Sequence, residues 1–299
     1  KKGINKGDFM NYFRKYITVA AFLFTLALSQ INHPYPPLDL VSIPTSGTLP
    51  KGSYTIETLL TKNGGFVPKL MVGLTENFSI GMSFGIQNFI GEEKPEKNKV
   101  TPEVQLKYRV FEESETSPAF LVGLDTQGFG PYIKKAFRTI PVLDENGAQI
   151  IENNIPQTLD EEKELNRYEQ KAWGVYAVLS KNWNALGNLG FHIGVNKNTF
   201  ETKDNDSDLN LFFGLDKELN RSFALLVEYN SALNDGEEYS ALAPELDGIT
   251  IGKGKGFLNA GLRWNVASNL LIEVNFKDIN LDRDDYANRE IKIMYSEQF

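Results

Sequence analysis

The chain has 299 residues, of which 41% are hydrophobic and 23% are charged, and its net charge is −8. Proteins that bind nucleic acids carry basic patches, so this acidic balance excludes a nucleic-acid partner. The chain has no cysteine and only two histidines, His33 and His192. These counts exclude disulfides, thiolate metal sites and a cysteine nucleophile, and no cofactor is expected.

The first 29 residues have the pattern of a secretory signal peptide. Met10 is interpreted as the initiator, so residues 1–9 form an upstream extension. Two basic residues precede an apolar run at 17–28, and Ala27, Leu28 and Ser29 fit a small-residue cleavage site. A helix needs about 20 apolar residues to span a bilayer, and this run is shorter. We therefore predict a cleaved signal peptide at 1–29, with an uncleaved anchor helix as the alternative.

Residues 30–50 are predicted to be an irregular, proline-rich lead-in on the periplasmic side of a membrane. Prolines at 34, 36, 37, 44 and 50 remove backbone donors and interrupt helices. After this segment, the sequence alternates with a period of two. From Phe78 to Ile86, for example, large apolar residues alternate with serine and glycine. Successive side chains of a strand point to opposite faces, so this pattern predicts strands with one apolar face.

Twelve strands are predicted from this alternation. They lie at approximately 52–62, 67–76, 78–88, 102–112, 119–129, 169–182, 187–200, 208–217, 221–232, 256–266, 269–279 and 289–298. Most are longer than the ~5–6 residues that are common in soluble sheets and match the ~9–11 residues of a tilted membrane-spanning strand. Strand length therefore favours a transmembrane barrel over a soluble sandwich.

The predicted connections alternate in length. Those after even-numbered strands are short, whereas those after odd-numbered strands are mostly longer, and the longest lie at 130–168 and 231–255. Bacterial outer-membrane barrels have short periplasmic turns, longer external loops and an even number of strands. The sequence therefore predicts an all-β fold in which residues 51–299 form one antiparallel up-and-down barrel. This barrel would contact outer-membrane lipid, with both termini in the periplasm.

The last predicted strand ends on an aromatic residue. Tyr295 and Phe299 lie on the same face as Ile291 and Ile293. Such an ending resembles the C-terminal signature of barrels that the outer-membrane assembly machinery inserts. We therefore predict that Tyr295 and Phe299 form an assembly signal and that this machinery is a partner.

Several segments resemble the outer-membrane barrel family that includes the exopolysaccharide-associated YjbH proteins. They are 48–54 (TLPKGSY), 73–91 (GLTENFSIGMSFGIQNFIG), 123–130 (GLDTQGFG), 176–183 (YAVLSKNW), 257–264 (FLNAGLRW) and 288–295 (NREIKIMY). None of them is a catalytic signature. The resemblance implies an outer-membrane barrel with a link to polysaccharide secretion.

Charged residues on the polar faces of the predicted strands are expected to point into the lumen, because a charge is costly in lipid. They are Glu103, Lys107, Arg109, Glu228, Arg263, Glu273 and Lys277. Both signs occur, and two interpretations stay open. The charges form cross-strand ion pairs that stiffen a narrow barrel, or they line a pore and steer a solute.

Two further motifs carry side chains that could support chemistry. Asp204, Asp206 and Asp208 supply oxygen ligands at every second position, which a hard cation would accept. The glycine and glutamate of a calcium loop are missing, so a solvated loop is the alternative. His192 is predicted to face the lumen, where a hydrolase would pair it with a serine and an Asp or Asn. No Gly-x-Ser-x-Gly motif is present, so we predict a structural histidine and no enzyme.

Two functions follow from the sequence. The first is a narrow channel for a polysaccharide or a small solute. The alternative is a non-conducting structural or interaction barrel whose long external loops bind a partner.

Overall fold

The structure is a computed structural model, and it describes residues 37–144, 147–152, 155–184, 187–235, 239–241, 250–251, 256–279 and 289–299. The predicted signal peptide and the first part of the lead-in, residues 30–36, lie outside the described residues. In the part of the chain that is described, no helix has the length and apolar character needed to cross a membrane.

Twelve antiparallel strands form a sheet that closes on itself. They are β1 (Ser53–Thr61), β2 (Gly65–Thr75), β3 (Phe78–Ser83), β4 (Glu103–Phe111), β5 (Ala119–Asp125), β6 (Gly174–Asn184), β7 (Asn188–Lys197), β8 (Asn210–Glu218), β9 (Phe223–Asn230), β10 (Phe257–Ala267), β11 (Leu270–Phe276) and β12 (Arg289–Gln298). Each strand pairs with its neighbours in the chain, and β1 also pairs with β12. The prediction of a twelve-stranded up-and-down barrel is therefore confirmed.

The barrel carries its apolar side chains on the outside. Large apolar side chains on the outward faces of the strands are exposed, among them Ile56, Ile193 and Phe213. Inward side chains such as Ser79 and Gln105 are buried and polar. A soluble protein has the opposite arrangement, whereas a barrel that spans a membrane needs an apolar outer band.

The two ends of the barrel differ in their connections. At one end, which we call the short-turn end, the strands are joined by residues 76–77, 112–118, 185–187, 219–222 and 268–269. At the opposite, long-loop end the connections are residues 62–64, 84–102, 126–173, 198–209, 231–256 and 277–288. Residues 62–64, which form a single 3-10 turn, are the exception to the longer connections predicted at this end.

The two longest connections meet in a second sheet at the long-loop end. Phe129–Pro141 and Thr158–Gln170 are paired strands, and Tyr239–Ala241 from the other connection pairs with the first of them. The long connection predicted at 130–168 therefore contains strands of its own, which the sequence analysis did not predict. Charged residues at 160–164 interrupt the alternation of apolar and polar residues, and the strand signal is lost there.

Residues 37–50, which we call the plug segment, lie inside the barrel. Every residue from Leu40 to Leu49 is buried. The segment doubles back on itself, because Leu40 N–H donates to Ile43 O (3.0 Å) and Thr45 N–H donates to Leu38 O (3.2 Å). The lead-in that was predicted to precede the barrel therefore fills part of the lumen instead.

The plug segment enters and leaves the lumen through the short-turn end. Thr48 donates to Glu76 O (2.9 Å) in the β2–β3 turn, and Pro37 lines a cavity next to the β10–β11 turn. The bend of the segment lies near the opposite end, where Trp173 Nε1 donates to Ser42 O (3.0 Å). Both ends of the segment are thus on the same side of the barrel.

Apolar packing holds the bend of the plug segment in place. Leu40, Val41 and Ile43 form one buried cluster with wall residues, namely Leu121, Trp173, Tyr176, Val178, Phe212 and Leu226. Inward glycines make room for the segment. A Cβ at Gly214 would lie 2.6 Å from Leu40 Cδ1, and one at Gly73 would lie 2.0 Å from Pro50 O. The wall and the segment are therefore complementary in shape.

Candidate functional site in the lumen

The carboxylate of Glu228 binds the bend of the plug segment. Its oxygens accept hydrogen bonds from Ser42 N–H (3.0 and 2.9 Å) and Ile43 N–H (3.0 Å), and from the Ser42 hydroxyl. Asn259 Nδ2 donates to the same group (2.7 Å). Glu228 is only 1% exposed, so these donors replace the water that a carboxylate requires.

Asp39 of the plug segment is held by two lysines of the barrel wall. Lys292 Nζ lies 2.8 Å from Asp39 Oδ1, and Lys69 Nζ lies 3.3 Å from Asp39 Oδ2. Lys69 also pairs with Glu57 at 2.9 Å, and Lys292 pairs with Glu273 at 3.2 Å. The two lysines therefore each contact one carboxylate of the wall and the single carboxylate of the segment.

Two more cations of the wall bind the backbone of the plug segment. Arg263 Nη2 donates to Asp39 O (3.0 Å), while its Nε donates to Glu273 (2.6 Å). Lys107 Nζ donates to Leu38 O. We call Lys69, Lys107, Arg263 and Lys292 the basic layer, because all four converge on the same part of the plug segment.

A second charged cluster closes the long-loop end. Arg167 Nη1 lies 2.8 Å from Asp204 Oδ2 and 2.6 Å from Asp235 Oδ1, and Lys171 Nζ lies 2.6 Å from Asp204 Oδ2. All four side chains are almost fully buried. Burial raises the pKa of Asp235, although Arg167 opposes this shift.

Glu201 and Glu103 extend this cluster towards the barrel. Glu201 accepts hydrogen bonds from Tyr168 N–H (2.7 Å) and Ala172 N–H (2.8 Å), and burial nevertheless raises the pKa of its carboxyl group. Glu103 accepts from the Tyr168 hydroxyl (2.9 Å) and pairs with Lys99 at 2.6 Å. These contacts attach the paired strands Phe129–Pro141 and Thr158–Gln170, which we call the loop hairpin, to β4.

The predicted lumen charges have different positions. Glu103, Lys107, Glu228, Arg263 and Glu273 are buried inside the barrel. Arg109 lies at the short-turn end, where it donates to Asn77 Oδ1 and Glu76 O. Lys277 lies at the long-loop end with its Nζ 3.9 Å from the centre of the Phe129 ring. The predicted charges therefore do not form one continuous row along the lumen.

The three aspartates of the candidate metal motif are not arranged around a common point. The carboxylate of Asp204 is occupied by Arg167 and Lys171, whereas Asp208 is exposed. Asp206 N–H donates to Asp204 Oδ1 (3.2 Å), as expected for a turn. Among the described residues, no group of three or more acidic, histidine or cysteine side chains could hold a metal ion.

His192 lies in a hydrogen-bonded row across three strands. Its Nδ1 is 2.7 Å from Ser180 Oγ on β6, and its Nε2 is 2.9 Å from Asp216 Oδ1 on β8. These are the residue types of a hydrolase triad, but Ser180 Oγ also accepts a hydrogen bond from Ser46 N–H (2.9 Å). The serine thus binds the plug segment, where a triad would need its hydroxyl to face a substrate.

Replacement of His192 by alanine should destabilise the barrel by about 2–3 kcal/mol, because Asp216 loses a buried donor. The loss would be seen as a lower temperature at which the heat-modifiable folded form disappears on gels. Replacement of the neighbouring, outward-facing Phe191 by alanine is the control and should have a smaller effect. An unchanged temperature for the His192 variant would contradict this structural role.

Aromatic side chains surround the short-turn end on its outer surface. Tyr54 and Phe299 have ring centres 5.0 Å apart, and Phe223 and Trp264 have ring centres 6.0 Å apart. The hydroxyl of Tyr295 donates to Glu297 (2.6 Å), which explains how this charge is accommodated on the outer face. Aromatic girdles of this kind mark the interface between a membrane and water.

The sequence did not identify Asp39, Lys69 or Lys292 as site residues. Asp39 belongs to a segment without alternation, and the prolines around it were interpreted as a lead-in. Lys69 and Lys292 do lie on the polar faces of predicted strands, so the alternation alone could have identified them. Their common partner could not be identified, because it lies 30 residues from one and 253 residues from the other in the sequence.

A closed barrel with an apolar outer band, an aromatic girdle and a polar interior defines an integral β-barrel of the outer-membrane type. No family model matches the sequence, and no curated protein matches it. The resemblance to the YjbH family therefore stays a prediction.

Solved structures similar to this chain include three outer-membrane proteins. The KdgM porin is 9% identical with a TM-score of 0.40, and the alignment covers 83% of this chain and 99% of the porin. The NanC porin is 10% identical with a TM-score of 0.36, over 82% and 99% of the two chains. The outer membrane protein Omp33 of Acinetobacter baumannii is 8% identical with a TM-score of 0.37, over 83% and 97%. The geometry of this chain itself identifies it as a β-barrel of the outer-membrane type.

Proposed function

We propose that this protein is a non-conducting barrel of the bacterial outer membrane, which presents its long loops to a partner outside the cell. The observation that carries this proposal is the plug segment in the lumen. From Leu40 to Leu49 it is buried, and it contacts the wall through ion pairs, hydrogen bonds and an apolar cluster. A segment held in these three ways occupies the space that a solute would need. No enzymatic role is proposed.

The orientation follows from the two ends of the barrel. Short turns face the periplasm in bacterial barrels, so the short-turn end with both ends of the plug segment belongs there. The second sheet, built from the two longest connections, then lies outside the cell. It would form the surface for an external partner. The resemblance to exopolysaccharide-associated barrels makes a polysaccharide one such partner.

A channel that opens by withdrawal of the plug segment is the second candidate. It is supported by the path of the segment, since both of its ends lie at the short-turn end. A segment of this shape can leave the lumen without threading a chain end through the barrel. The vacated lumen would have a wall that carries charges of both signs beside one apolar patch, and such charges can steer a solute.

Conductance in planar bilayers tests the proposal. The unmodified protein should insert without conducting. In the double variant Leu40→Asn and Ile43→Asn, polar groups enter the apolar cluster, at a cost of about 1–3 kcal/mol each. The plug segment should then leave more often, and brief openings should appear. The matched control is Leu143→Asn with Ile151→Asn, which makes the same changes at exposed loop positions and should stay closed.

Openings of the double variant alone are compatible with both candidates, whereas two other outcomes decide between them. Steady conductance by the unmodified protein would refute a non-conducting barrel. If the double variant folds but never conducts, the gated channel is excluded and the non-conducting barrel stands.

A further inference from the structure

The basic layer takes one of its carboxylate partners from the plug segment. Among its described ion pairs, Lys69, Arg263 and Lys292 share only two carboxylates of the wall, Glu57 and Glu273. The third carboxylate is Asp39, and it comes from the plug segment. Without that group, Lys69 and Lys292 would each lose one of their two carboxylate partners, which is costly at a buried site.

We propose that the basic layer is a carboxylate-binding site of the barrel wall and that Asp39 occupies it as an internal ligand. Two lysine ammonium groups contact the two different oxygens of the same carboxylate, at 2.8 and 3.3 Å. This is the arrangement with which a protein binds a carboxylate group of a solute. The ligand class is therefore a small molecule, or the end of a larger one, that carries a carboxylate.

A small cavity lies beside Asp39. A cavity of about 30 Å³ is lined by Asp39, Lys69, Lys107 and Asp125, among others. A volume of this size can hold a water molecule. Removal of the Asp39 carboxylate would vacate roughly the volume of a formate ion, and together with the adjacent cavity this is roughly the volume that an acetate ion needs.

Chemical rescue tests this site in the full-length chain. Because the protein has no cysteine, Val41→Cys at the bend of the plug segment supplies a single reporter for a water-soluble maleimide. Asp39→Ala in this background should raise the labelling rate at least about tenfold, equivalent to about 1.4 kcal/mol. Acetate at neutral pH should reverse at least half of this rise. Acetamide, which has the same shape without the charge, and chloride at equal ionic strength should not.

Leu40→Asn in the same background is the matched control. It loosens the plug segment without removing a carboxylate, so its labelling rate should rise and acetate should not reverse the rise. Equal reversal by acetate in both variants would overturn the proposal, as would an unchanged labelling rate for Asp39→Ala. If Asp39→Ala does not fold, the isosteric variant Asp39→Asn is measured, with the rise in labelling as its readout.

If the site selects the solute that passes through the lumen, the inference rests on the gated channel. The existence of a carboxylate-binding site does not depend on that channel. The binding site and the gated channel can be refuted separately. If acetate rescues Asp39→Ala while the Leu40→Asn and Ile43→Asn double variant never conducts, the site stands and the channel falls. If the double variant conducts without preference for anions and acetate does not rescue, the channel stands and the site falls.

Discussion

Replacement of Glu228 by alanine should release the plug segment from the barrel wall. The change leaves the N–H groups of Ser42 and Ile43 and the amide of Asn259 without their shared acceptor. Hydrogen bonds to a charged group are worth about 1.5–3 kcal/mol each, and an unsatisfied buried donor adds a penalty. We expect a loss of about 3–5 kcal/mol in the free energy of unfolding. Thermal unfolding of the folded form in detergent measures it.

Release of the segment can be distinguished from a general loss of stability. With the Val41→Cys reporter, Glu228→Ala should speed labelling by a water-soluble maleimide. Glu103→Ala is the matched control, because Glu103 is also buried but binds Tyr168 and Lys99. Among the described residues, no hydrogen bond or ion pair joins it to the plug segment. This variant should lower the unfolding temperature and leave the labelling rate unchanged. Equal labelling in both variants would show that Glu228 does not hold the segment specifically.

Replacement of Arg167 by alanine should detach the loop hairpin at the long-loop end. Arg167 is 1% exposed and neutralises Asp204 and Asp235. Lys171 still pairs with Asp204 in the variant, whereas Asp235 loses the partner that contacts it at 2.6 Å. Breaking a buried ion pair by removal of one member costs about 3–5 kcal/mol. Limited proteolysis should therefore cut within residues 126–173 at a protease concentration that leaves the unmodified protein intact.

The exposed ion pair between Lys203 and Glu164 provides the control for this experiment. Its atoms are 2.7 Å apart, but both side chains are at least half exposed. Pairs of this kind contribute little, so Lys203→Ala should be cut at the same rate as the unmodified protein. If Arg167→Ala resists proteolysis to the same degree as Lys203→Ala, the hairpin does not depend on the buried cluster.

The barrel itself could be predicted from the sequence because each strand carries its own local signal. Along Phe78–Ser83, for instance, side-chain size alternates with a period of two, and this pattern gives both the strand and its outward face. Charges on the polar face then had to point inwards. Strand identity, strand number and the direction of Glu228 or Arg263 follow from such local information.

The contents of the lumen could not be predicted in the same way. The plug segment has no regular secondary structure, so no periodicity indicates which of its side chains are buried. Its contacts join residues far apart in the sequence, such as Ser42 and Glu228, which are separated by 186 positions. Inward glycines such as Gly73 and Gly214 were visible in the sequence, but the chain that approaches them was not.

The pairing of β1 with β12 has a consequence for the order of assembly. β1 directly follows the plug segment in the sequence. It completes its pairing only after residues 289–298 have been synthesised and positioned. Asp39 and Ser42 are synthesised before every wall residue that binds them, including Lys292. Such contacts of long sequence separation form late and slowly. The contact between Asp39 and Lys292 therefore cannot form before the strand that closes the ring is in place. Inhibition of closure should leave a segment that proteases can cut between residues 37 and 50.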